Sequence, residues 1–429
     1  MLFTTDAEVN HASQSVLTKI TARYLLCVDI DCYRDAQGRR YFDHLWFKDL
    51  IEHLRYIEHL ILASPCQRVD QPPANAVAVD DHPLFANVEF VDLPKAKGLI
   101  ESIVYLPITI AKLWQAIQSA ELVHSGVAGW PIPPGWITTP IAKLLKKPYV
   151  IIVESAFWRL QPGTPSTITS TLRAQISETL NRWCINATDL AIFTHEEYRD
   201  SLLTKQPERG HIIYCSWIDE EQILSDADAR ELWQKKVPPA SGELKLLFAG
   251  RLTASKGILV LLESMNLSDD EGLPIQLDIL GQGELFEACV QASQQPRKTI
   301  KIRTLGTVSY GVELFQLMQN YHALVIPTIS DEGHRVVYDA YSQALPVLAS
   351  DTVGLREIVH PEETGQLIPP ESSVALASTF KRAIQNFSEL ERMGVAALAV
   401  ARSLTHKNMH QQRWYLLQEL INSSKHHKN

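Results

Sequence analysis

Cations and carboxylates stand beside glycine turns in the second half of the chain, in the words Gly250-Arg251, Lys256-Gly257, Asp331-Glu332-Gly333-His334 and Asp339. Arg251 and Lys256 each sit close behind an apolar run, where a fixed positive charge suits an anionic ligand. Val325-Ile326-Pro327 reads as a short strand, Ser330 to His334 as a polar turn, and Arg335 to Ala344 as a helix. Pro346 to Ser350 reads as another strand, and Asp351-Thr352-Val353-Gly354 opens a second helix with Glu357. A glycine turn feeding a helix start offers unpaired backbone N–H groups and the positive end of the helix dipole, which suits phosphate or sugar oxygens. Carboxylates beside it accept hydrogen bonds from ribose and hexose hydroxyls. Taken singly, an Arg or Lys behind a strand is usually a solvated surface group, and Glu357 alone reads as a helix-start carboxylate.

The elements that must hold these groups alternate strand and helix, the pattern of parallel α/β sheets. In the first half, Tyr24 to Asp29, Leu60 to Ala63, Val88 to Leu93, Leu122 to His124, Tyr149 to Val153, Leu190 to Thr194 and His211 to Cys215 read as strands. His44 to Ile57 reads as a helix with Leu50, Leu54 and Ile57 on one face. The polar segment from Asp219 to Gly242 reads as a domain linker. After it come the strands Leu244 to Ala249, Ile275 to Leu280, Ile300 to Leu305, Ala323 to Pro327 and Val347 to Ser350. Leu277 to Gly283 is a strand ending in a glycine turn, a weak fingerprint that lacks the third glycine of a dinucleotide site.

Residues 244 to 370 resemble the C-terminal half of retaining glycosyltransferases of family 4, which have the GT-B fold of two Rossmann-like domains facing across a cleft. The resemblance implies an N-terminal acceptor-binding domain over 1–225, a C-terminal nucleotide-sugar domain over 240–405, and a final segment, 406–429, crossing back to the first domain. It further implies that Arg251 and Lys256 clamp the donor diphosphate, that Glu332 acts in catalysis, and that Gly250, Gly281, Gly283, Gly333, His334 and Val336 border the donor. By the same resemblance the turn at Leu305 to Val308 borders the nucleobase, with Val308 beside it. The family carries two glutamates separated by seven residues. Asp339 stands for the second, and Glu332 for the first if one residue is deleted before Arg335, with Asp331 as the alternative. Asp339 keeps the charge but is one methylene shorter.

On the acceptor side the resemblance points to His124, whose other reading is a core or capping role, and to Glu154. The loop Cys32 to Tyr41 carries one glycine, Gly38, as an acceptor-side candidate. Trp130, Pro131, Pro133, Pro134 and Trp136 read as an aromatic wall for a sugar or lipid, or as core packing. Asp29-Ile30-Asp31 looks like a metal-binding D-x-D pair, but the surrounding chain lacks that architecture, so no metal is expected and Asp29 reads as a loop cap.

With 429 residues the chain exceeds a single core. A net charge of −9 argues against nonspecific nucleic-acid binding. Six scattered cysteines without a CxxC pair point to a reducing compartment. The first twenty residues lack a targeting pattern, so a soluble cytoplasmic enzyme is expected. Leu99 to Ile117 reads as a core helix, with contact to the inner membrane face as the alternative. The expected function is transfer of a sugar from a nucleoside-diphosphate donor, with no other cofactor, to a sugar, polysaccharide or lipid-linked acceptor. The alternatives are a noncatalytic protein of the same fold and a sugar-nucleotide epimerase.

Overall fold

The computed structural model describes residues 17–129, 131–160, 166–240 and 242–426. Two compact units emerge. Among the described residues, the first lies within 1–125, 140–149 and 413–429, and the second within 126–139 and 150–412. Residues 150–225 therefore group with the C-terminal half, whereas the expected boundary lies at the 219–242 segment.

In the first unit the strands β1 (Ile20–Cys27), β2 (Cys32–Arg34), β3 (Arg40–Asp43), β4 (Ile57–Arg68), β5 (Ala76–Ala78), β6 (Glu89–Pro94) and β7 (Leu122–Gly126) form a sheet in the order β7-β1-β4-β2-β3-β5, with β6 also paired to β4. Pairs β1–β4, β1–β7, β2–β4 and β4–β6 are parallel. Tyr24, Leu25, Leu26 and Cys27 are buried in succession, as a strand covered on both faces requires. The helix His44–Tyr56 starts where the Asp43 carboxylate accepts from Leu45 N at 2.9 Å, and buries Leu50 and Leu54. The polar loop expected at Cys32 to Tyr41 is instead an antiparallel hairpin of β2 and β3. Gly38 lies in its turn, with its carbonyl held by Arg34 Nε at 3.0 Å.

The helix Leu99–Ser119 corrects the core expectation. Only Leu113, Ala116 and Ile117 near its C-terminal end are buried, while Ile100 is 80 % and Val104 67 % exposed, and Ile103 and Ile108 are exposed as well. It is long and apolar enough to cross a membrane by length and composition. Lys147 Nζ closes its end by donating to the carbonyls of Gln118 and Ala120 at 3.0 and 2.6 Å. The last helix, His406–His426, joins this unit from Arg413 onward, where Trp414 Nε1 donates to Thr18 O at 2.8 Å.

The second unit holds β8 (Tyr149–Val153), β9 (Leu190–Phe193) and β10 (Gly210–Ile212), paired in parallel. It also holds the six parallel strands β11 (Leu244–Ala249), β12 (Ile275–Leu280), β13 (Ile300–Gly306), β14 (Ala323–Ile326), β15 (Val347–Ser350) and β16 (Gly365–Ile368). Their order is β13-β12-β11-β14-β15-β16. The chain thus winds outward in one direction from β11 and in the other from β14, and ligands in such sheets bind where the direction reverses. Leu244, Leu246 and Phe248 feed one apolar layer and Leu247 the opposite one, the alternation of a doubly covered strand.

The expected linker contains the helix Asp226–Lys235. Ser225 caps it by accepting from Asp228 N, Asp226 and Asp228 favour its first turn, and Trp233 is buried with Nε1 donating to Ala344 O at 3.0 Å. Its polar composition reflects one exposed face. The helix expected over 335–344 is shorter, Val336–Ser342, because Ala344 adopts a left-handed φ of 52°.

Candidate functional site

The loops after β11 and β14 meet at the reversal point of the six-stranded sheet. Gly250 N donates to Leu280 O at 3.0 Å, which ties the end of β11 to the end of β12. At Gly281, φ is 148° and a Cβ would lie 1.8 Å from Gly250 O, so only glycine lets the two turns approach. Gly283 stands in the same turn, close against the Leu252 backbone. Lys256 ends a short 3-10 turn, Ala254–Lys256, and the helix Ile258–Asp270 follows with no side chain capping its first turn. That start leaves backbone N–H groups beside the lysine.

Lys256 Nζ is 2.9 Å from Glu332 Oε2 and 3.2 Å from His334 Nε2, and the lysine side chain is only 11 % exposed. Because the ammonium only donates, His334 Nε2 must accept. Burial, followed by the Lys256 charge, pushes the His334 pKa well below the usual range and keeps the ring neutral. Arg251 is 73 % exposed and reaches Glu332 Oε2 at 3.9 Å, a contact of little energetic weight that leaves its guanidinium accessible. Asp331 turns elsewhere, its Oδ1 accepting from Val353 N at 3.2 Å. Of the two alternatives for the first family carboxylate, Glu332 therefore stands with the cations.

Asp339 is buried, and its Oδ1 accepts from the Tyr310 hydroxyl at 2.8 Å. Burial, then the Asp339 carboxylate, raises the Tyr310 pKa. Val308 and Val336 pack against the same apolar layer as Tyr338 and Tyr341. Glu357 is not at a helix start. It follows the four-residue helix Val353–Arg356, and both its oxygens accept from Glu196 N, at 3.0 and 3.1 Å, at the start of the helix Glu196–Leu202.

The acceptor-side candidates are dispersed. His124 belongs to the first unit, buried, with Nδ1 2.5 Å from the Tyr24 hydroxyl and its pKa lowered by burial. Gly38 also lies in the first unit, in the hairpin turn. Glu154 is exposed just past β8 in the second, its carbonyl accepting from Thr194 Oγ1 at 3.1 Å. Asp31 pairs with Lys95. Trp130 lies outside the described residues. Pro131, Pro133, Phe157, Trp158 and Asn181 line a cavity of about 260 Å³, and Trp136 Nε1 donates to Asn181 Oδ1 at 2.6 Å.

Sequence reasoning missed Tyr310, Glu196 and His195, whose Nε2 accepts from Gly333 N at 3.0 Å. Tyr310 lies two residues past Val308, which was a usable signal. His195 and Glu196 had none, since their partners are 138 and 161 positions away.

Residues 229–399 match the family described as Glycosyl transferases group 1. The chain is 30 % identical over 163 residues to the phosphatidyl-myo-inositol mannosyltransferase of Mycobacterium leprae, covering 37 % of this chain and 41 % of that one. It is 22 % identical over 262 residues to the alpha-D-kanosaminyltransferase of Streptomyces kanamyceticus, covering 59 % and 65 %. The chain thus spans less than two thirds of the length of these curated relatives. The solved structure of Anabaena HepE in complex with UDP superposes with a TM-score of 0.63 at 16 % identity, covering 92 % of this chain and all of that one, which shows a shared fold. The matched segment, the reversed parallel sheet and the superposition agree: residues 229–399 match the group 1 glycosyltransferase family, and the chain has the GT-B fold.

Proposed function

We propose that the protein is a retaining glycosyltransferase that moves a sugar from a nucleoside-diphosphate donor to an acceptor hydroxyl without a metal ion. The observation that carries this reading is the convergence of Lys256, Glu332 and His334, with Arg251 above them, at the reversal point of the sheet. In this reading Arg251, Lys256 and the uncapped start of helix Ile258–Asp270 meet the charge that grows on the departing diphosphate. The bond from the anomeric carbon to the phosphate oxygen breaks, and a bond to the acceptor oxygen forms on the same face. The acceptor proton passes to the departing phosphate, so the chain supplies no nucleophile, and its work is positioning and charge stabilisation. Residues 240–405 serve the donor and 1–225 the acceptor, a sugar, polysaccharide or lipid-linked saccharide. The exposed apolar face of helix Leu99–Ser119 supports a peripheral position at the inner membrane face.

The UDP bound in the Anabaena structure makes UDP and its sugar conjugates the first ligands to try. Thermal shift of the full chain with UDP, GDP, ADP and dTDP in EDTA is expected to rise for one base and to lose that rise in Arg251→Ala. A noncatalytic protein of this fold is the second reading, favoured by Glu332 occupying Lys256 and by Tyr310 occupying Asp339. No stabilisation by any nucleotide would put that reading first.

A further inference from the structure

We infer that His195 is a positioning residue for the 331–334 loop, its Nε2 holding the Gly333 amide and thereby the peptide that carries Glu332 and His334. The imidazole is itself fixed from several sides. Thr194, before it, bonds the carbonyls of Val153 and Glu154 through its hydroxyl. Glu196, after it, is held at its amide by Glu357. The ring stands edge-on to Tyr198 with centroids 5.0 Å apart.

Gly333 N donates to His195 Nε2 at 3.0 Å, so that nitrogen carries no proton and the hydrogen resides on Nδ1. Nδ1 is buried without a partner among the described residues, which leaves the Gly333 amide as the hydrogen bond that anchors the ring. Burial lowers the pKa of the ring to about 4, with the Glu332 charge opposing. It therefore stays an acceptor at neutral pH. A Cβ at position 333 would lie 1.8 Å from His195 Cε1, so the ring lies directly against the backbone of the loop. On either side of that glycine, Glu332 and His334 both contact Lys256. Rotating the 332–333 peptide away from His195 would pull both contacts out of register. An aliphatic residue at 195 would leave the Gly333 N–H buried without an acceptor.

The link to the donor rests on the function proposed above, but the positioning claim has a readout of its own. Hydrogen exchange of the 331–335 segment, measured on the full chain, is expected to quicken at least about tenfold in His195→Leu. In His195→Gln, whose Oε1 accepts at a similar reach, it should stay within about threefold of the parent. Sugar-nucleotide KM is expected to rise about tenfold in His195→Leu with a smaller change in kcat, and to recover in His195→Gln. Parental exchange at Gly333 in His195→Leu would overturn the inference, as would equal loss of protection in both variants when both melt at the parental temperature. Faster exchange in His195→Leu alone, with no variant and no parent binding nucleotide, would uphold the positioning role and sink the donor-site reading instead.

Discussion

The thiols of Cys32 and Cys66 face each other at 3.2 Å across the parallel pair β2–β4. Cys32 is buried and its pKa is raised, first by sharing a hydrogen bond with Cys66 and then by burial. The half-exposed Cys66 is lowered, first by that same hydrogen bond, with Arg40 and Arg34 adding positive charge. Incubation with a small disulfide such as oxidised glutathione is expected to close the pair. The Cys66 thiolate attacks the oxidant and releases one thiol, then Cys32 displaces the second. The checks are a mass loss of about 2 Da, absent in Cys32→Ser, and alkylation of Cys66 before the buried Cys27, Cys184 and Cys289.

In the proposed reaction Glu332, which holds Lys256 at 2.9 Å, would compete with an incoming diphosphate for it. Glu332→Gln is therefore expected to bind the nucleoside diphosphate roughly threefold more tightly while turnover falls by about a hundredfold. Titration calorimetry beside steady-state kinetics checks both directions. Weaker nucleotide binding would mean that Glu332 is part of the phosphate grip and not its competitor.

Tyr310→Phe removes the hydroxyl that Asp339 accepts from, at a buried carboxylate. A loss of about 1–3 kcal/mol in unfolding free energy is expected. If ribose hydroxyls replace that donor, nucleotide should raise Tm more in the variant than in the parent.

His195 holds a pKa near 4 when folded and about 6.5 when unfolded. Between those values the unfolded chain binds the extra proton, so stability is full above about 6.5 and falls as the pH drops towards 4. The single group accounts for on the order of 3 kcal/mol. His322, pushed to about 3 by burial and then by the Lys236 charge, acts in the same direction. Urea unfolding from pH 7 to 4 is expected to show this slope, and His195→Gln to flatten it by about one proton.

Helix Leu99–Ser119 is expected to carry the protein onto lipid vesicles. Replacing Ile100 and Val104 by Glu should release it in a sedimentation assay with Tm unchanged, because both side chains are exposed. Retention on vesicles by that variant would move the lipid contact elsewhere.

Tyr149–Val153, Leu244–Ala249, Ile275–Leu280 and Val347–Ser350 have the bounds their sequence suggests, since each is an apolar run between turn residues. Such runs are legible because burial on both faces fills most positions with apolar residues, Asp278 being a buried exception in Ile275–Leu280. The helix Asp226–Lys235 was hidden by its charge, with Ala229 and Trp233 as its buried anchors. In the site, the grouping of Arg251, Lys256 and Glu332 was legible through the family resemblance that their words and glycine turns carry. His195 and the Glu196–Glu357 contact were not, because pairings across more than a hundred residues leave no local periodicity. The exposure of Ile100 and Val104 was equally hidden, since an apolar helix has the same composition in a core and on a surface.

That helix also governs how the protein behaves in a test tube. With no lipid present, its uncovered side chains are expected to seek cover in other copies, so light scattering should grow with concentration and melt curves should become scan-rate dependent. A mild detergent above its micelle threshold would restore a monodisperse particle.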